Sequence, residues 1–313
     1  MSTKNNVSKY FSDNAGAWLA DAYEQSGYNY PTPFHRLRVL KKIIVELEGV
    51  RKVLDIGCGG GQVAISLAGL GYQVIGVDES ENMISSALNS LENQDEQIKQ
   101  NLRFVKQSIY DFDMMNFDAL TAMGVIGYFP SDKTLFDIAF KRLTKNGYFI
   151  ASFRNKLFDL CSISNYTIRD IKDGDIERLI GEFKAIASEP ISQETVEEFV
   201  GALHLITGKI LENGFDQSLS SERPSKQQHM EYVGNCDPRQ STPAEVKSIA
   251  SAAGFETISI NGVHPHFLNP YLNRLLPATV YNQLSDALIP LESSSVALTW
   301  SSVFIGVFKK NDN

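Results

Sequence analysis

A glycine-rich turn after a short apolar run is the strongest chemical signal in this 313-residue sequence. Gly57, Gly59 and Gly61 alternate with other residues and precede a helical pattern. Glycine adopts positive φ and lets a ligand approach the backbone, so the turn is predicted to bind a ligand. A dinucleotide fingerprint would require glycine where Gln62 stands, and Asp55 would repel a pyrophosphate. Asp55 instead suits a ligand that carries an ammonium group.

A second acid, Asp78, ends the next apolar run, 21 residues after Gly57. A carboxylate at this position of a βαβ unit accepts hydrogen bonds from both hydroxyls of a ribose. S-adenosylmethionine has an ammonium group and a free ribose diol and lacks a phosphate. The two acids therefore favour this cofactor, with S-adenosylhomocysteine as product, over NAD.

The ordered motifs resemble those of the class I S-adenosylmethionine-dependent methyltransferases of the small-molecule type. The family's first motif, acid-x-Gly-x-Gly-x-Gly, is matched by residues 55–61, and its ribose acid by Asp78. Residues 122–126 look like the family's fourth-strand motif. Residues 143–147 are similar to its turn before the fifth strand, with Asn146 in place of the usual proline. The resemblance implies the family's fold and its cofactor.

The resemblance also implies cofactor contacts, which are carried over position by position. Asp55 and the backbone of the turn would hold the methionine part, and Asp78 the ribose. The further cofactor positions are Cys58 in the turn, Glu79 and Met83 beside the ribose and adenine, Ser108 and Ile109 flanking the adenine, and Met123 and Gly124 with their carbonyl groups. Arg36 or Arg38, in the helix before the first strand, could pair with the cofactor carboxylate.

Three residues are candidates for catalysis. Many members of the family carry a histidine in the turn after strand four, where this sequence has Tyr128 and its neighbours. His264 and His266 follow the sixth predicted strand and so lie at the ligand-binding edge, where either could act as general base toward an alcohol. A packed structural loop is the alternative for this pair. His204 stands in an apolar helical stretch and is expected in the core.

Alternating strand and helix patterns predict the scaffold that positions these residues. The sequence indicates an α/β fold with a doubly wound, seven-stranded, mostly parallel sheet and a helical cap. A helix is expected over residues 33–48, and the seventh strand over residues 296–308. Thr242, Pro243 and Glu245 form the pattern of a capping box at a helix start.

Three regions are predicted from where the strand–helix rhythm holds and where it breaks. Residues 51–153 and 243–313 form the cofactor-binding core. Residues 1–50 form an N-terminal helical segment that covers part of the active site, and residues 154–242 a helical substrate-binding lid. Four residues of these two covers are candidate acceptor contacts: Tyr23, Tyr30, Tyr166 and His229.

Composition excludes several classes of protein. A net charge of −8 without a basic block argues against a nucleic-acid partner. Three distant cysteines favour neither a disulfide framework nor a metal cluster and suit a cytoplasmic protein. Neither a secretory signal nor an apolar run of about 18 residues is present, so no stable membrane insertion is expected. A homodimer is left open.

The resulting functional hypothesis is oxygen methylation of a small hydroxylated acceptor, such as a sugar, a glycan precursor, or a quinone- or polyketide-like molecule. Residues 124–130 lack the carboxylates that magnesium-dependent catechol methyltransferases carry there, so a metal-independent enzyme is expected. Methylation of a small amine or amino sugar is the first alternative. An NAD-dependent oxidoreductase and a cofactor-binding protein without catalysis are the others.

Overall fold

An open, mostly parallel β-sheet with helices on both faces organises the molecule. The computed structural model describes residues 32–213, 239–263, 265–269 and 276–311. The sheet has the order β3-β2-β1-β4-β5-β8-β7, with the short β6 beside the end of β5. The strands are β1 (Lys52–Ile56), β2 (Gln73–Asp78), β3 (Leu102–Lys106), β4 (Phe117–Ala122), β5 (Leu143–Asn155), β6 (Gln240–Ser241), β7 (Phe255–Val263) and β8 (Val303–Lys310).

Helices connect and cover these strands. In the described part of the chain they are α1 (Thr32–Ile44), α2 (Gln62–Gly69), α3 (Glu81–Glu92), α4 (Glu96–Asn101), α5 (Asp132–Arg142), α6 (Asp159–Ser162), α7 (Asn165–Asp173), α8 (Ile176–Ala187), α9 (Gln193–Asn213), α10 (Pro243–Ala252), α11 (Ala278–Asp286) and α12 (Ala297–Trp300). Short 3₁₀ turns occupy Ile126–Tyr128, Lys156–Phe158 and Ile289–Ser293. None of these helices is long and apolar enough to cross a membrane.

Strand order reverses between β1 and β4. β1 pairs in parallel with both β2 and β4, and the chain proceeds outward from β1 in one direction and from β4 in the other. β8 is antiparallel to β5 and β7. In such a sheet the crevice at the reversal point, beyond the carboxyl ends of the strands, is where ligands bind. The predicted fold class is confirmed.

Each face of the sheet has its own apolar core. On one face the buried ring of Phe136 in α5 lies 4.9 Å from Phe308 and 5.1 Å from Phe149, measured between ring centroids, in edge-to-face contacts. On the other face Leu40 of α1 and Leu67 of α2 belong to a buried cluster with central-strand residues. Alternating side chains along the central strands supply both cores, so the middle of the sheet is buried on both faces.

The segment after β5 is helical in its described part, as the sequence predicts, and ion pairs attach it to the core. Lys156 Nζ lies 3.3 Å from Asp170 Oδ1 of α7. Arg178 of α8 lies 3.0 Å from Glu245 Oε1 of α10. These contacts tie the α7 and α8 helices to the end of β5 and to α10. The role of this segment as a substrate lid stays a prediction.

Helix starts follow the sequence closely. The Thr242 hydroxyl accepts a hydrogen bond from Glu245 N at 3.2 Å, and the Glu245 carboxylate accepts one from Thr242 N at 2.7 Å. The predicted capping box is therefore confirmed. Ser131 caps α5 in the simpler form, accepting from Thr134 N. Each cap satisfies backbone N–H groups that a helix start leaves open.

Two predicted elements and one predicted burial differ from the structure. α1 ends at Ile44, because the next amides bond three residues back and tighten the chain into turns. The expected strand over residues 296–308 begins with the short helix α12, whose Leu298 carbonyl accepts from Asn155 Nδ2 at 2.5 Å. β8 follows it. His204 is exposed on α9 rather than buried. Four candidate residues lie outside the described residues: Tyr23, Tyr30, His229 and His264.

Candidate functional site

The glycine-rich turn leaves β1 at the reversal point of the sheet. Gly57, Gly59 and Gly61 have φ values of 65°, 52° and 87°, a region that L-residues other than glycine rarely adopt. A Cβ atom on Gly57 would lie 2.5 Å from Val125 Cγ1 in the loop after β4. Val77 O accepts from Gly57 N at 2.8 Å, which holds the turn against β2. The backbone of the glycine-rich turn therefore packs directly against the side chain of Val125 in the loop after β4.

Asp55 is a buried carboxylate beneath this turn. It is 1% exposed, and its Oδ1 accepts a hydrogen bond from Thr121 of β4 at 2.7 Å. Oδ2 is also buried and has no hydrogen-bond partner among the described residues. Burial raises the pKa of Asp55 to about 7, the Thr121 hydrogen bond opposes the rise, and the negative charge of Asp78 adds to it. An unpaired buried acceptor such as Oδ2 favours a cationic donor in the crevice.

Asp78 ends β2 and organises the other side of the turn. Its Oδ2 accepts from Gly59 N at 3.0 Å, and its Oδ1 from Ser80 N at 2.9 Å. Burial raises the pKa of this carboxyl, while backbone N–H donors oppose the rise. Each carboxylate oxygen has a further lone pair, so Asp78 can still accept two hydroxyl groups. Between the two acids the thiol of Cys58 is buried, which together with their charges raises its pKa and keeps it protonated.

Gly124 brings a third element to the crevice. It has φ 82°, and any Cβ there would overlap the guanidinium of Arg36 from α1. Its N–H donates to the buried Ser152 Oγ of β5 at 2.7 Å. The first turns beyond β1 and β4, the helix α1 and the end of β5 therefore meet around this glycine. Arg36 is the arginine at this place, whereas Arg38 points to Glu292, with Nη2 to Oε1 at 2.7 Å.

Arg239 fixes the loop after β4. Its guanidinium donates to Ile126 O at 3.0 Å and to Phe129 O at 2.7 Å, and it also bonds the carboxylate of Asp132. Asp132 is buried and accepts in addition from Ser241 Oγ at 2.5 Å. Arg239 immediately precedes β6. The residue that leads the chain back to the sheet therefore also binds the loop that carries Tyr128.

His266 lies in a polar pocket of its own. The ring is 7% exposed, with Nδ1 3.0 Å from Tyr281 OH and Nε2 3.2 Å from Ser302 Oγ. The Phe158 ring lies 4.6 Å away between centroids. Ser302 precedes β8, which is two strands from β4, about 10 Å at the usual strand spacing. These contacts do not include any of the cofactor candidates.

The remaining described candidates differ in burial and in their contacts. Met83 is 2% exposed, and its Sδ would be 3.9 Å from a Cβ on Gly59. Ile109 is buried and gives its carbonyl to Arg142 Nη2 at 2.9 Å. The exposed Glu79 and the half-buried positions Ser108, Met123, Tyr128 and Tyr166 complete the set.

One family of known proteins matches the residues around this crevice. Residues 48–193 match the model of the family described as a methyltransferase domain. The match spans a little under half of this chain and includes the glycine-rich turn, both acids and the loop after β4. The resemblance inferred from the glycine and acid motifs is confirmed, and the crevice around Asp55 and Asp78 lies within the matched residues.

Among curated proteins, the ubiquinone biosynthesis O-methyltransferase of Coxiella burnetii is 34% identical over 125 residues. That match covers 40% of this chain and 51% of the relative, so the chain spans about half the length of that protein.

Two solved structures share the fold of the methyltransferase domain over essentially the whole chain. Magnesium protoporphyrin IX methyltransferase from Synechocystis PCC 6803, solved with bound S-adenosylhomocysteine, has a TM-score of 0.54 at 13% identity. The match covers 99% of this chain and 100% of the Synechocystis chain. Phosphoethanolamine N-methyltransferase 2 of Haemonchus contortus, in complex with S-adenosylmethionine, has a TM-score of 0.55 at 14% identity. The match covers 100% of this chain and 60% of the Haemonchus chain.

The sequence analysis did not identify three residues that hold the crevice together. Thr121 bonds Asp55, Ser152 bonds Gly124 N, and Arg239 clamps the loop after β4. Thr121 and Ser152 are polar residues inside otherwise apolar strands, a pattern that marks buried hydrogen-bonded groups. Arg239 gives no such signal, because its partners are backbone carbonyls more than 100 residues away.

Proposed function

We propose that this protein is an S-adenosylmethionine-dependent methyltransferase that methylates an oxygen atom of a small hydroxylated acceptor. The observation that carries the proposal is the pair of acids around the positive-φ glycine turn, of which Asp55 is buried and Asp78 half-buried. Asp55 Oδ2 is a buried acceptor without a partner in the described part, and Asp78 keeps lone pairs on both oxygens. These acceptors fit an ammonium group and a ribose diol, both of which donate hydrogen bonds.

Chain residues have distinct tasks in this proposal. Asp55 binds the ammonium group, Asp78 the ribose hydroxyls, and Arg36 the carboxylate of the cofactor's amino-acid part. S-adenosylmethionine, when bound, supplies a methyl group on a sulfonium that a nucleophilic oxygen can take by in-line displacement. The chain's contribution is therefore alignment and exclusion of water, which the loop held by Arg239 and the segment after β5 provide.

Oxygen methylation requires the loss of a hydroxyl proton, and Tyr128, His264 and His266 stay the candidate bases. Tyr128 lies on the loop after β4, beside the crevice. His266 is held by Tyr281 and Ser302, so its role would require this pocket to open toward the acceptor. Two expectations stay predictions: the reaction is metal-independent, and the acceptor is a small molecule rather than a nucleic acid. The possible homodimer stays open. The O-methyltransferase relative supports oxygen as the target atom.

Methyl transfer to matched alcohols and amines tests this proposal. Labelled S-adenosylmethionine would be incubated with catechol- and sugar-type acceptors and with their amino analogues, with and without EDTA. We expect label in the alcohols, unaffected by EDTA, and tight binding of S-adenosylhomocysteine with no response to NAD. Label in the amines alone would refute oxygen methylation, and failure to bind S-adenosylhomocysteine would refute the cofactor assignment.

Variants then separate the candidate bases from the cofactor site. Tyr128→Phe and His266→Gln should each be compared with wild type in turnover and in S-adenosylhomocysteine affinity. The variant that removes the base loses turnover, about 10²-fold or more, and keeps its cofactor affinity. Full turnover in both variants would exclude both residues as the base.

A further inference from the structure

Two arginines flank one tyrosine at the end of β5. The guanidinium carbon of Arg154 lies 5.4 Å from the centroid of the Tyr166 ring, and that of Arg169 lies 4.9 Å from it. Arg154 is exposed at the penultimate position of β5, and Tyr166 and Arg169 are half-buried on α7. Arginine stacked on an aromatic ring keeps its N–H groups available at the edges of the guanidinium plane.

The charge of Arg154 is not balanced within the described part of the chain. Its guanidinium makes neither an ion pair nor a hydrogen bond with the residues described there. Two other arginines have acidic partners: Arg38 pairs with Glu292, and Arg178 pairs with Asp175 and Glu245. Arg169 donates to Gln240 Oε1 at 2.8 Å, and that amide in turn donates to Asp159 Oδ1 at 3.0 Å. The nearby buried acid therefore engages Gln240 rather than Arg154.

Strand geometry places Arg154 beside the cofactor crevice. Side chains two residues apart in a strand share a face, so Ile150, Ser152 and Arg154 project to the same side of the sheet. Ser152 on that face accepts the hydrogen bond from Gly124 N. Arg154 lies about 7 Å further along the strand, past the point where β4 ends. It is thus on the α1 side of the sheet, at the edge where an acceptor would approach.

We propose that Arg154, together with Arg169 and Tyr166, recognises an anionic group of the methyl acceptor. A carboxylate or a phosphate monoester fits, because each presents oxygens that a guanidinium binds in a two-point contact. Tyr166 holds the two cations on its ring and gives the acceptor's apolar part a surface. The proposal rests on the proposed function and deepens it, since it assigns the acceptor to the acidic small molecules.

The cofactor's own carboxylate is the competing occupant. Arg36 is better placed for that role, because its guanidinium lies directly against Gly124. A variant of each arginine separates the two assignments. Arg154→Gln should keep the affinity for S-adenosylhomocysteine, whereas Arg36→Gln should weaken it.

Anion binding to the full-length protein saturated with S-adenosylhomocysteine is the direct test. Inorganic phosphate and benzoate are titrated separately by calorimetry, so that the two arms distinguish a phosphate from a carboxylate preference. At least one should bind wild type, and its affinity should fall about tenfold in Arg154→Gln, the loss of one charge-assisted contact. Arg103→Gln is the matched control, because Arg103 is exposed on β3 at the far edge of the sheet.

Several outcomes would overturn the proposal. They are the absence of binding for both anions, equal binding in Arg154→Gln and wild type, and an equal loss in Arg103→Gln. A loss of S-adenosylhomocysteine affinity in Arg154→Gln as large as in Arg36→Gln would assign Arg154 to the cofactor instead. Arg154→Lys keeps the charge without the forked geometry, and we expect an intermediate affinity. If wild type does not bind S-adenosylhomocysteine at all, it is the proposed function that fails.

Discussion

Replacing Asp55 by asparagine should stabilise the cofactor-free protein while it damages cofactor binding. The Asp55 carboxyl is 1% exposed, and one of its oxygens has no partner among the described residues. Asparagine has nearly the same shape, keeps an oxygen for the Thr121 hydroxyl and cannot ionise. The substitution therefore removes the cost of a buried charge and places an amide NH2 group where one carboxylate oxygen was.

The pKa of Asp55 sets the size of this effect and its dependence on pH. The carboxyl ionises near its ordinary value of 3.8 in the unfolded chain and at about 7 in the folded protein. The folded state thus binds the proton more tightly, so stability falls as pH rises between these values and is level above about pH 8. Each pH unit in the window is worth about 1.4 kcal/mol, which gives a full cost of about 4 kcal/mol.

Urea unfolding at pH 5, 6, 7 and 8 without cofactor measures this cost. The free energy of unfolding of Asp55→Asn, relative to wild type, should rise by about 3 kcal/mol between pH 5 and pH 8. The pH dependence is the decisive quantity, because the new amide donor adds a constant cost of its own. Asp137→Asn is the control: that exposed side chain pairs with the exposed Lys133, and the change should stay within about 0.5 kcal/mol.

Cofactor affinity supplies the opposing readout for the same variant. If Asp55 binds an ammonium group, S-adenosylhomocysteine should bind wild type about tenfold more tightly at pH 8 than at pH 6. Asp55→Asn should bind weakly at both pH values. A stability difference that does not change with pH would refute the reasoning about the buried charge, and unchanged cofactor affinity would refute the ammonium assignment.

Three further predictions address the turn, the ribose acid and the clamp. Asp78→Ala should weaken S-adenosylhomocysteine binding by roughly 1.5–3 kcal/mol in calorimetry, and unchanged affinity would contradict the ribose assignment. Gly57→Ala should lower stability by about 1–3 kcal/mol in urea unfolding, more than Gly49→Ala, which has open space around its Cβ and costs only about 1 kcal/mol. Arg239→Ala should cost about 2 kcal/mol, because it leaves the buried Asp132 without its cation, and should lower turnover with cofactor affinity kept; equal stability would show that the clamp contributes nothing.

Much of the geometry of the glycine-rich turn was predictable because its determinants are local. A glycine at positive φ after a strand, and an acid at the end of the next strand, leave marks within about 25 residues of sequence. Capping at Thr242 is local in the same sense, and it is confirmed. The topology of parallel strands then brings such local features to one edge of the sheet.

Other parts depend on contacts between distant segments and left no such mark. The expected strand at residues 296–308 starts as a helix, and Asn155, more than 140 residues away in sequence, donates to the carbonyl groups of Leu298 and Ser301. His204 stands in an apolar stretch, yet α9 turns that position outward. The environment of His266 depends on Tyr281 and Ser302, which an inspection of its own loop does not reveal.

The two-residue strand β6 has a consequence for engineering. Gln240 and Ser241 pair with the end of β5, and the preceding Arg239 holds the loop after β4. The C-terminal end of the segment after β5 is thus attached to the crevice through Arg239 and β6. A chimera that exchanges the segment after β5 for that of a protein with the same fold, in order to change the acceptor, should be joined before Arg239. A junction placed after Ser241 would remove Arg239 and β6 together with their contacts. We expect such a chimera to lose activity on any acceptor.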